Sequence, residues 1–184
     1  KHSGEKTIRL GFIGLGNRGI CHLNNALKIT GIVIPAICDT IPERLQQAKK
    51  LVEDAGLSTP RLYDKGPTDF KRLCETEDLD AIICATSTEW HTRVCLAAIK
   101  NNKHAVSEVP IVNNLDESWE LIETCETTGK WVTISLEGFN ELALLNMIYK
   151  GMLGNIIHAE TGFTHDWFPS MDINRGDRMD FLVS

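Results

Sequence analysis

Three glycines follow a short apolar segment in the spacing G-x-G-x-x-G, at Gly14, Gly16 and Gly19. Where such a turn joins a buried strand to a helix, free N–H groups at the start of the helix can bind a diphosphate. The first glycine permits the tight turn, the second leaves room for the phosphates, and the third lets the helix pack closely on the strand. We therefore predict a dinucleotide site that includes Asn17 and Arg18; the alternatives are a turn without ligand and, for Arg18, a surface cation.

A carboxylate, Asp39, stands 20 residues after the last of these glycines (39 − 19) and ends a second apolar segment. A carboxylate at this point can accept hydrogen bonds from both hydroxyls of an adenosine ribose, and it repels a 2′-phosphate. The residue type therefore favours NAD over NADP. Arg18 and Arg44 are the alternative, because either guanidinium could serve as a partner for a 2′-phosphate.

Two histidines and one aspartate in the last third of the chain are the candidates for proton transfer. A histidine suits this chemistry because its unperturbed pKa is about 6.5. The pair His165 and Asp166 follows a predicted strand, and functional residues are concentrated at such ends. His158 lies within the same predicted strand, where a structural role is the alternative.

Short apolar segments alternate with helical spacing along the first 136 residues. Six segments are typical of strands: Ile8 to Ile13, Ile32 to Cys38, Arg61 to Tyr63, Ala81 to Ala85, His104 to Ser107 and Trp131 to Leu136. Helical patterns between them predict a parallel sheet covered on both faces. The fold class is therefore α/β, a Rossmann-type doubly wound sheet. Thr40 and Glu43 predict a capping box for the second helix, and Gly129 a helix end.

The regular alternation of strand and helix patterns ends near residue 137, which we interpret as a domain boundary. Residues 1–136 form the dinucleotide-binding domain. Residues 137–184 begin a second, incomplete α/β domain, with a helix through Leu142, Leu145 and Ile148 and a strand from Ile156 to Phe163. Only 48 residues (184 − 136) remain there, too few for an ordinary independent core.

Composition excludes several classes of protein. The chain of 184 residues is 42% hydrophobic and 24% charged, as globular proteins are. Its net charge of −6 disfavours nucleic-acid binding, and no apolar segment approaches the roughly 20 residues of a membrane span. The six cysteines form no C-x-x-C pair, so we predict no metal site and a reducing, cytoplasmic location.

Two further motifs complete a family likeness. They are the segment Thr86 to His91, which reads T-S-T-E-W-H, and Glu108-Val109-Pro110. With the glycine turn and Asp39, they resemble the Gfo/Idh/MocA oxidoreductases over nearly the whole chain. The resemblance implies an N-terminal Rossmann domain, a C-terminal α/β domain, NAD or NADP as cofactor and a sugar-type substrate. Family members usually pair through their second domain, so a homo-oligomer is an expected assembly.

The segment from Leu142 to Asp166 is similar to one subgroup, the NAD-dependent glycosidases of glycoside hydrolase family 109. The matching residues are Leu145-Asn146-Met147, His158-Ala159-Glu160 and His165-Asp166. In this subgroup a tightly held NAD transiently oxidises the sugar, which permits elimination of the leaving group before the hydride returns.

The resemblance also assigns site residues after the fourth and fifth strands. Thr86 and Ser87 lie where open α/β sheets bind ligands. His91 matches a family histidine near the cofactor; the alternative is a histidine whose hydrogen bonds are satisfied within the fold. Glu108 matches the glutamate beside the nicotinamide-side ribose; the alternative is a surface acid next to a helix. Trp90 completes the predicted cofactor set; its ring could also serve only for packing.

Two positions depart from the family pattern. Val109 stands where typical dehydrogenases have a lysine that contacts the reacting hydroxyl, and an isopropyl group cannot transfer a proton. The glycosidase-like subgroup also tends to have valine here. Phe163 stands where that subgroup has a tyrosine, so a hydroxyl is lost. Three functions stay open: a sugar oxidoreductase, a glycosidase that recycles its NAD, and a dinucleotide-binding module inactive without a full second domain.

Overall fold

A computed structural model describes residues 7–135, 139–160 and 162 of the chain. The strands are β1 (Ile8–Ile13), β2 (Ile32–Cys38), β3 (Arg61–Tyr63), β4 (Ala81–Cys84), β5 (His104–Ser107) and β6 (Val132–Ile134). The helices are α1 (Asn17–Ala26), α2 (Pro42–Asp54), α3 (Phe70–Thr76), α4 (Thr88–Lys100), α5 (Leu115–Thr128) and α6 (Phe139–Tyr149).

The strands form one six-stranded sheet in the order β3-β2-β1-β4-β5-β6. Every neighbouring pair is parallel, from β2–β3 at one edge to β5–β6 at the other. The order reverses between β1 and β4, and ligands of doubly wound sheets bind outside the carboxyl ends of the strands at such a switch point. The predicted Rossmann-type class is confirmed, and the loops after β1, β2, β4 and β5 define the candidate site.

Two apolar layers cover the two faces of the sheet. Successive side chains of a strand point to opposite faces, so Phe12 and Ile13 of β1 enter different core clusters. The Phe12 cluster includes Leu23 of α1 and residues of α2. The Ile13 cluster includes residues of α3, α4 and α5, among them Phe70. Burial on both faces explains why the central strands are continuous apolar runs without alternation.

Two helix ends can be compared with the sequence predictions: the end of α5 is as predicted, and the start of α2 is not. Asn114 caps α5 by accepting from the Glu117 N–H at 2.9 Å, and Gly129 ends the helix at φ 66°. The capping box at Thr40 is wrong, because α2 is capped by Ile41 without a side-chain hydrogen bond. The side chain that binds there is Asp39, which accepts from the Ile41 N–H at 2.8 Å.

The chain divides into two compact units, Lys1–Ser135 and Leu136–Ser184. In the second unit, α6 spans Phe139–Tyr149 and includes the helix predicted through Leu142, Leu145 and Ile148. The strand predicted from Ile156 to Phe163 is not formed in its described part, residues 156–160 and 162. A strand needs a hydrogen-bonded neighbour, and Ile157 is instead 97% exposed. The assignment of residues 137–184 to an incomplete second domain stays a prediction.

Cysteines act as apolar residues in this fold. All six are free thiols, and Cys38, Cys74, Cys84 and Cys95 are buried. Burial raises the pKa of Cys38 to about 12 and raises the pKa of Cys84, so these thiols are not reactive at neutral pH. Among the described residues, no helix is long and apolar enough to cross a membrane.

An ion pair at the start of α3 predicts a pH-dependent contribution to stability. Asp69 accepts from Arg72 Nε at 2.7 Å, from Arg72 Nη2 at 2.8 Å and from the Lys65 N–H at 3.0 Å. The hydrogen bonds from Arg72 dominate and hold the pKa of Asp69 below its ordinary value of 3.8. Because the folded-state pKa is the lower one, this contribution is present above pH 3.8 and disappears as the pH falls through the folded-state pKa.

We therefore expect Asp69→Asn to lower the free energy of unfolding by about 1–2 kcal/mol at neutral pH, since Arg72 is partly solvated. Urea unfolding at several pH values checks this, and the difference from the wild type should shrink in acid. Asp54→Asn, at the exposed end of α2, is the control. A difference that stays constant from neutral pH to strong acid would contradict the assignment.

Candidate cofactor site at the switch point

Two of the three glycines are required by the packing of the turn after β1. Gly14 has φ +84°, and a Cβ there would lie 2.6 Å from the carbonyl carbon of Ala85. A Cβ on Gly19 would lie 1.9 Å from the carbonyl oxygen of Gly14. The turn is also tied to β2, because the Gly14 N–H donates to the Cys38 carbonyl at 2.9 Å. No side chain fits at either position, which agrees with the roles predicted for the first and third glycines.

The second glycine is not required by packing. The nearest atoms to a Cβ on Gly16 would belong to the Arg44 guanidinium, at 3.8 and 3.9 Å. Gly16 caps α1, so the residues that follow it, Asn17 and Arg18, lie in the first turn of the helix. The first N–H groups of a helix lack partners within the helix. An open main chain at a helix N-terminus is the feature that a diphosphate requires, so the residues present fit this group.

Asp39 holds the glycine turn from the end of β2. Its Oδ2 accepts from the Leu15 N–H at 2.6 Å and its Oδ1 from the Ile41 N–H at 2.8 Å. The side chain is 4% exposed. A carboxylate has about four acceptor sites, so each oxygen keeps one for a ribose hydroxyl. The carboxylate therefore fixes the loop that follows β1 and remains chemically suited to the predicted ribose contact.

Arg44 lies beside both of these features. Its Nη1 is 4.0 Å from Asp39 Oδ1, and its guanidinium is the group nearest to the space above Gly16. The cation therefore stands next to the region where a diphosphate would bind. In the sequence Arg44 was only an alternative partner for a 2′-phosphate, since nothing in its spacing indicated that α2 directs it toward the turn.

Glu108 is held in an ionic cluster after β5. Its Oε1 lies 2.6 Å from His22 Nε2, 3.0 Å from Arg18 Nε and 2.9 Å from Arg18 Nη2. Burial acts to raise the pKa of Glu108, but hydrogen bonds from His22 and Arg18 outweigh it, and the net effect lowers the pKa. Glu108 therefore stays ionised to a lower pH than an ordinary glutamate, and Arg18 is bound to it instead of standing as a surface cation.

His22 is a site residue that the sequence did not single out. It follows Arg18 by four residues in α1, and residues at i and i+4 lie on one face of a helix. That spacing places both groups toward the carboxyl end of β5. It was a usable signal only with the position of Glu108 already known, because the contact spans 86 residues.

The segment after β4 is bound to the turn after β5 through a histidine. His91 is 1% exposed, with Nδ1 2.7 Å from the Pro110 carbonyl and Nε2 3.0 Å from the Thr86 carbonyl. The Val109–Pro110 peptide bond is cis. Ser87 caps α4 through its main chain and is exposed. These contacts let His91 join two loops, and its part in cofactor binding stays a prediction. The Ser87 hydroxyl is exposed and donates to Glu89 Oε1 at 3.4 Å.

Trp90 packs toward the core. Its ring lies 6.0 Å from the ring of Phe70 in an edge-on arrangement, and its indole N–H donates to Glu89 at 2.9 Å. Arg93 stands over the ring at 5.1 Å. These contacts agree with the packing alternative, and its part in cofactor binding stays a prediction.

The candidates for proton transfer belong to the second unit, Leu136–Ser184. His158 lies in a segment without helix or strand and is 4.0 Å from Glu160, with both side chains largely exposed. His165 and Asp166, like Phe163, lie outside the described residues. Their catalytic roles stay predictions.

Strand order, the open glycine turn and the acid after β2 together define an NAD-binding Rossmann domain. The model of the Gfo/Idh/MocA oxidoreductase family, described as an oxidoreductase family with an NAD-binding Rossmann fold, matches residues 8–136. The chain belongs to this family, as its motifs indicated.

Curated relatives carry the name of the predicted subgroup. A glycosyl hydrolase family 109 protein of Phocaeicola vulgatus is 41% identical over 164 residues, which are 87% of this chain and 35% of the relative. One of Porphyromonas gingivalis is 38% identical over 192 residues, covering 97% of this chain and 41% of the relative. The chain thus spans less than half the length of these two relatives.

Solved structures share the fold. The scyllo-inositol dehydrogenase of Lactobacillus casei has a TM-score of 0.70 at 23% identity, over 84% of this chain and 45% of that one. The WlbA dehydrogenase of Bordetella pertussis, in complex with NADH and UDP-GlcNAcA, has a TM-score of 0.66 at 22% identity. The match covers 79% of this chain and 44% of that one.

Proposed function

We propose that this chain supplies the NAD-binding part of an enzyme that oxidises or reduces a sugar-type substrate. The glycine turn carries the proposal: two glycines are required by packing, while the one between them, at the start of a helix, faces the end of the Arg44 side chain at 3.8 Å. Bound NAD would accept the hydride when the substrate is oxidised and donate it when the substrate is reduced. The substrate class is supported by the ligands of two similar solved structures, scyllo-inositol in the Lactobacillus casei dehydrogenase and UDP-GlcNAcA in the WlbA dehydrogenase.

Different residues of the chain would bind different parts of the cofactor. Main-chain N–H groups at Gly16, Asn17 and Arg18 would hold the diphosphate, with Arg44 as the nearest side-chain cation. Asp39 would accept the adenosine ribose hydroxyls, and its charge disfavours NADP. Glu108, Thr86 and Ser87 would lie on the nicotinamide side. His158, His165 and Asp166 remain the candidates for proton transfer to the substrate.

A glycosidase that recycles its NAD is the second candidate. Two observations favour it: the relatives named glycosyl hydrolase family 109 proteins, and Val109, which is 49% exposed and offers no proton-transferring group. Such an enzyme would cleave a glycoside without net reduction of NAD. The third candidate, a binding module inactive without a full second domain, predicts NAD binding without turnover.

Nucleotide binding by the 184-residue chain is the first test. We expect NAD⁺ to bind more tightly than NADP⁺ in calorimetric titrations. Gly16→Val should weaken NAD⁺ binding at least about tenfold, because its side chain would fill the space needed by the phosphates. The midpoint of thermal unfolding should change less than NAD⁺ affinity does, because the nearest group to the added Cβ outside the adjacent residues is the end of the flexible Arg44 side chain, at 3.8 Å. A wild-type chain that binds neither nucleotide would refute the proposal.

Product analysis separates the three candidates. The 184-residue chain and a version extended to the length of the relatives are loaded with NAD⁺ and given free sugars and nitrophenyl glycosides. Accumulating NADH with a free sugar identifies the oxidoreductase. Release of nitrophenol without net NADH identifies the glycosidase. NAD⁺ binding without turnover in the 184-residue chain identifies the module, whichever reaction the extended version catalyses, and turnover by the 184-residue chain excludes it.

A further inference from the structure

We propose that His22 is a positioning residue that orients the Glu108 carboxylate toward the nicotinamide-side ribose of NAD. The inference rests on the proposed function, because it assigns a task to Glu108 that needs bound NAD. His22 itself would not touch the cofactor; it would act through the oxygen of Glu108 that it binds.

The contacts around Glu108 give its two carboxylate oxygens different roles. Oε1 lies 2.6 Å from His22 Nε2, 3.0 Å from Arg18 Nε and 2.9 Å from Arg18 Nη2. Within the described part of the chain, Oε2 has no hydrogen-bond partner. The main chain of Glu108 is fixed separately, because its N–H donates to the Cys84 carbonyl at 3.0 Å. Oε1 is thus the anchored oxygen, and Oε2 is the one that can accept a ribose hydroxyl.

Burial makes the His22 contact effective. The side chains of His22 and Glu108 are 18% and 14% exposed, whereas the Arg18 side chain is 37% exposed. A hydrogen bond with little access to solvent is stronger than an exposed one, and a half-buried carboxylate is costly without its donors. Of the two donors, His22 is therefore the better shielded. Ser135 Oγ, 3.5 Å from the same ring nitrogen, borders it on the β6 side.

Helix α1 connects this cluster to the glycine turn. Its first residues provide the main-chain groups proposed for the diphosphate, and His22 lies one turn after Arg18. A ligand group is best oriented when its supporting residue stands on a rigid element. The same helix would therefore set the position of Glu108 relative to the diphosphate, so that both ends of the cofactor are placed by one element.

A double-mutant cycle tests the inference in the 184-residue chain with NAD⁺ as the probe. The variants are His22→Leu, His22→Gln, Glu108→Gln and the double variant His22→Leu/Glu108→Gln. We expect His22→Leu and Glu108→Gln each to weaken NAD⁺ binding about tenfold, the scale of one charged hydrogen bond. The double variant should bind no more weakly than Glu108→Gln alone, because the two residues act as a unit. His22→Gln should restore most of the affinity, since its amide N–H can donate to Oε1.

A control and an NAD-free measurement accompany the cycle. His104→Gln changes a histidine at the amino end of β5, where it contacts Trp131, and should leave NAD⁺ affinity unchanged. In His22→Leu, the Glu108 carboxyl followed by NMR should titrate at a higher pH than in the wild type, because a donor to its charged form is lost.

The outcomes separate this inference from the proposed function. If the wild type binds NAD⁺ and His22→Leu binds it equally well, the positioning role is wrong and the proposed function stands. Additive effects in the double variant, or a His22→Gln variant as weak as His22→Leu, overturn the role in the same way. A Glu108 titration that does not move overturns it whether or not NAD⁺ binds. A wild type without NAD⁺ affinity refutes the proposed function, and the inference with it.

Discussion

Gly19→Ala is expected to destabilise the chain by at least about 3 kcal/mol, the upper range for forcing atoms into a packed site. The added Cβ would stand 1.9 Å from the Gly14 carbonyl oxygen, a distance that no side-chain rotation can relieve because both atoms are fixed by the backbone. Either α1 moves away from β1 or the turn opens. Both changes disrupt the start of α1, so NAD⁺ binding should be lost as well.

Gly16→Ala is the matched control in the same turn. Its Cβ would meet nothing closer than the end of the Arg44 side chain at 3.8 Å, so the free energy of unfolding should change by less than about 1 kcal/mol. Urea unfolding of the two variants measures the contrast. Equal stability of Gly19→Ala and Gly16→Ala would show that the turn is not packed as described.

Asp39→Asn should lower both stability and NAD⁺ affinity. Both described hydrogen-bond partners of the carboxylate are main-chain N–H donors, at Leu15 and Ile41. An asparagine amide has one acceptor oxygen and one NH₂ group, so one N–H must then face another donor inside the protein. The cost is about 2–3 kcal/mol of stability. Affinity for NAD⁺ should fall at least about tenfold, because the loop after β1 loses its support and the ribose loses an acceptor.

Urea unfolding and calorimetric titration measure the two effects of Asp39→Asn separately. Glu43→Gln, on the exposed first turn of α2, is the control and should alter neither quantity by more than a small amount. Weakened binding with unchanged stability would leave only the ribose role. Unchanged stability and unchanged binding would contradict both roles assigned to the carboxylate.

Features that depend on a few consecutive residues, such as strands and turns, were predicted well. Strands such as Ile32 to Cys38 were placed correctly, because burial on both faces of a parallel sheet leaves continuous apolar runs. The glycine turn was recognised because the spacing G-x-G-x-x-G between an apolar strand and a helix is itself a short-range pattern. Family membership followed from the same local motifs, since a motif is by nature a short-range pattern.

Features that depend on a partner elsewhere were missed or misjudged. The capping box at Thr40 failed because Asp39, one residue earlier, binds the Ile41 N–H and leaves Ile41 as the cap. The strand predicted from Ile156 failed in its described part because alternation alone supplies no neighbouring strand. His22 was overlooked because its partner, Glu108, lies 86 residues away.

The sequence by itself determined the class of this protein: periodicity fixes the alternating strands and helices, and three glycines with an acid fix the kind of ligand that suits them. Tertiary structure alone decided which side chains meet. Parallel pairing places β1, β4 and β5 side by side, which brings α1 against the turn after β5 and sets His22 and Arg18 on one oxygen of Glu108. The physical reason is range: periodicity and turn geometry act over a few residues, whereas the hydrogen bonds of a half-buried carboxylate depend on where the sheet places distant segments.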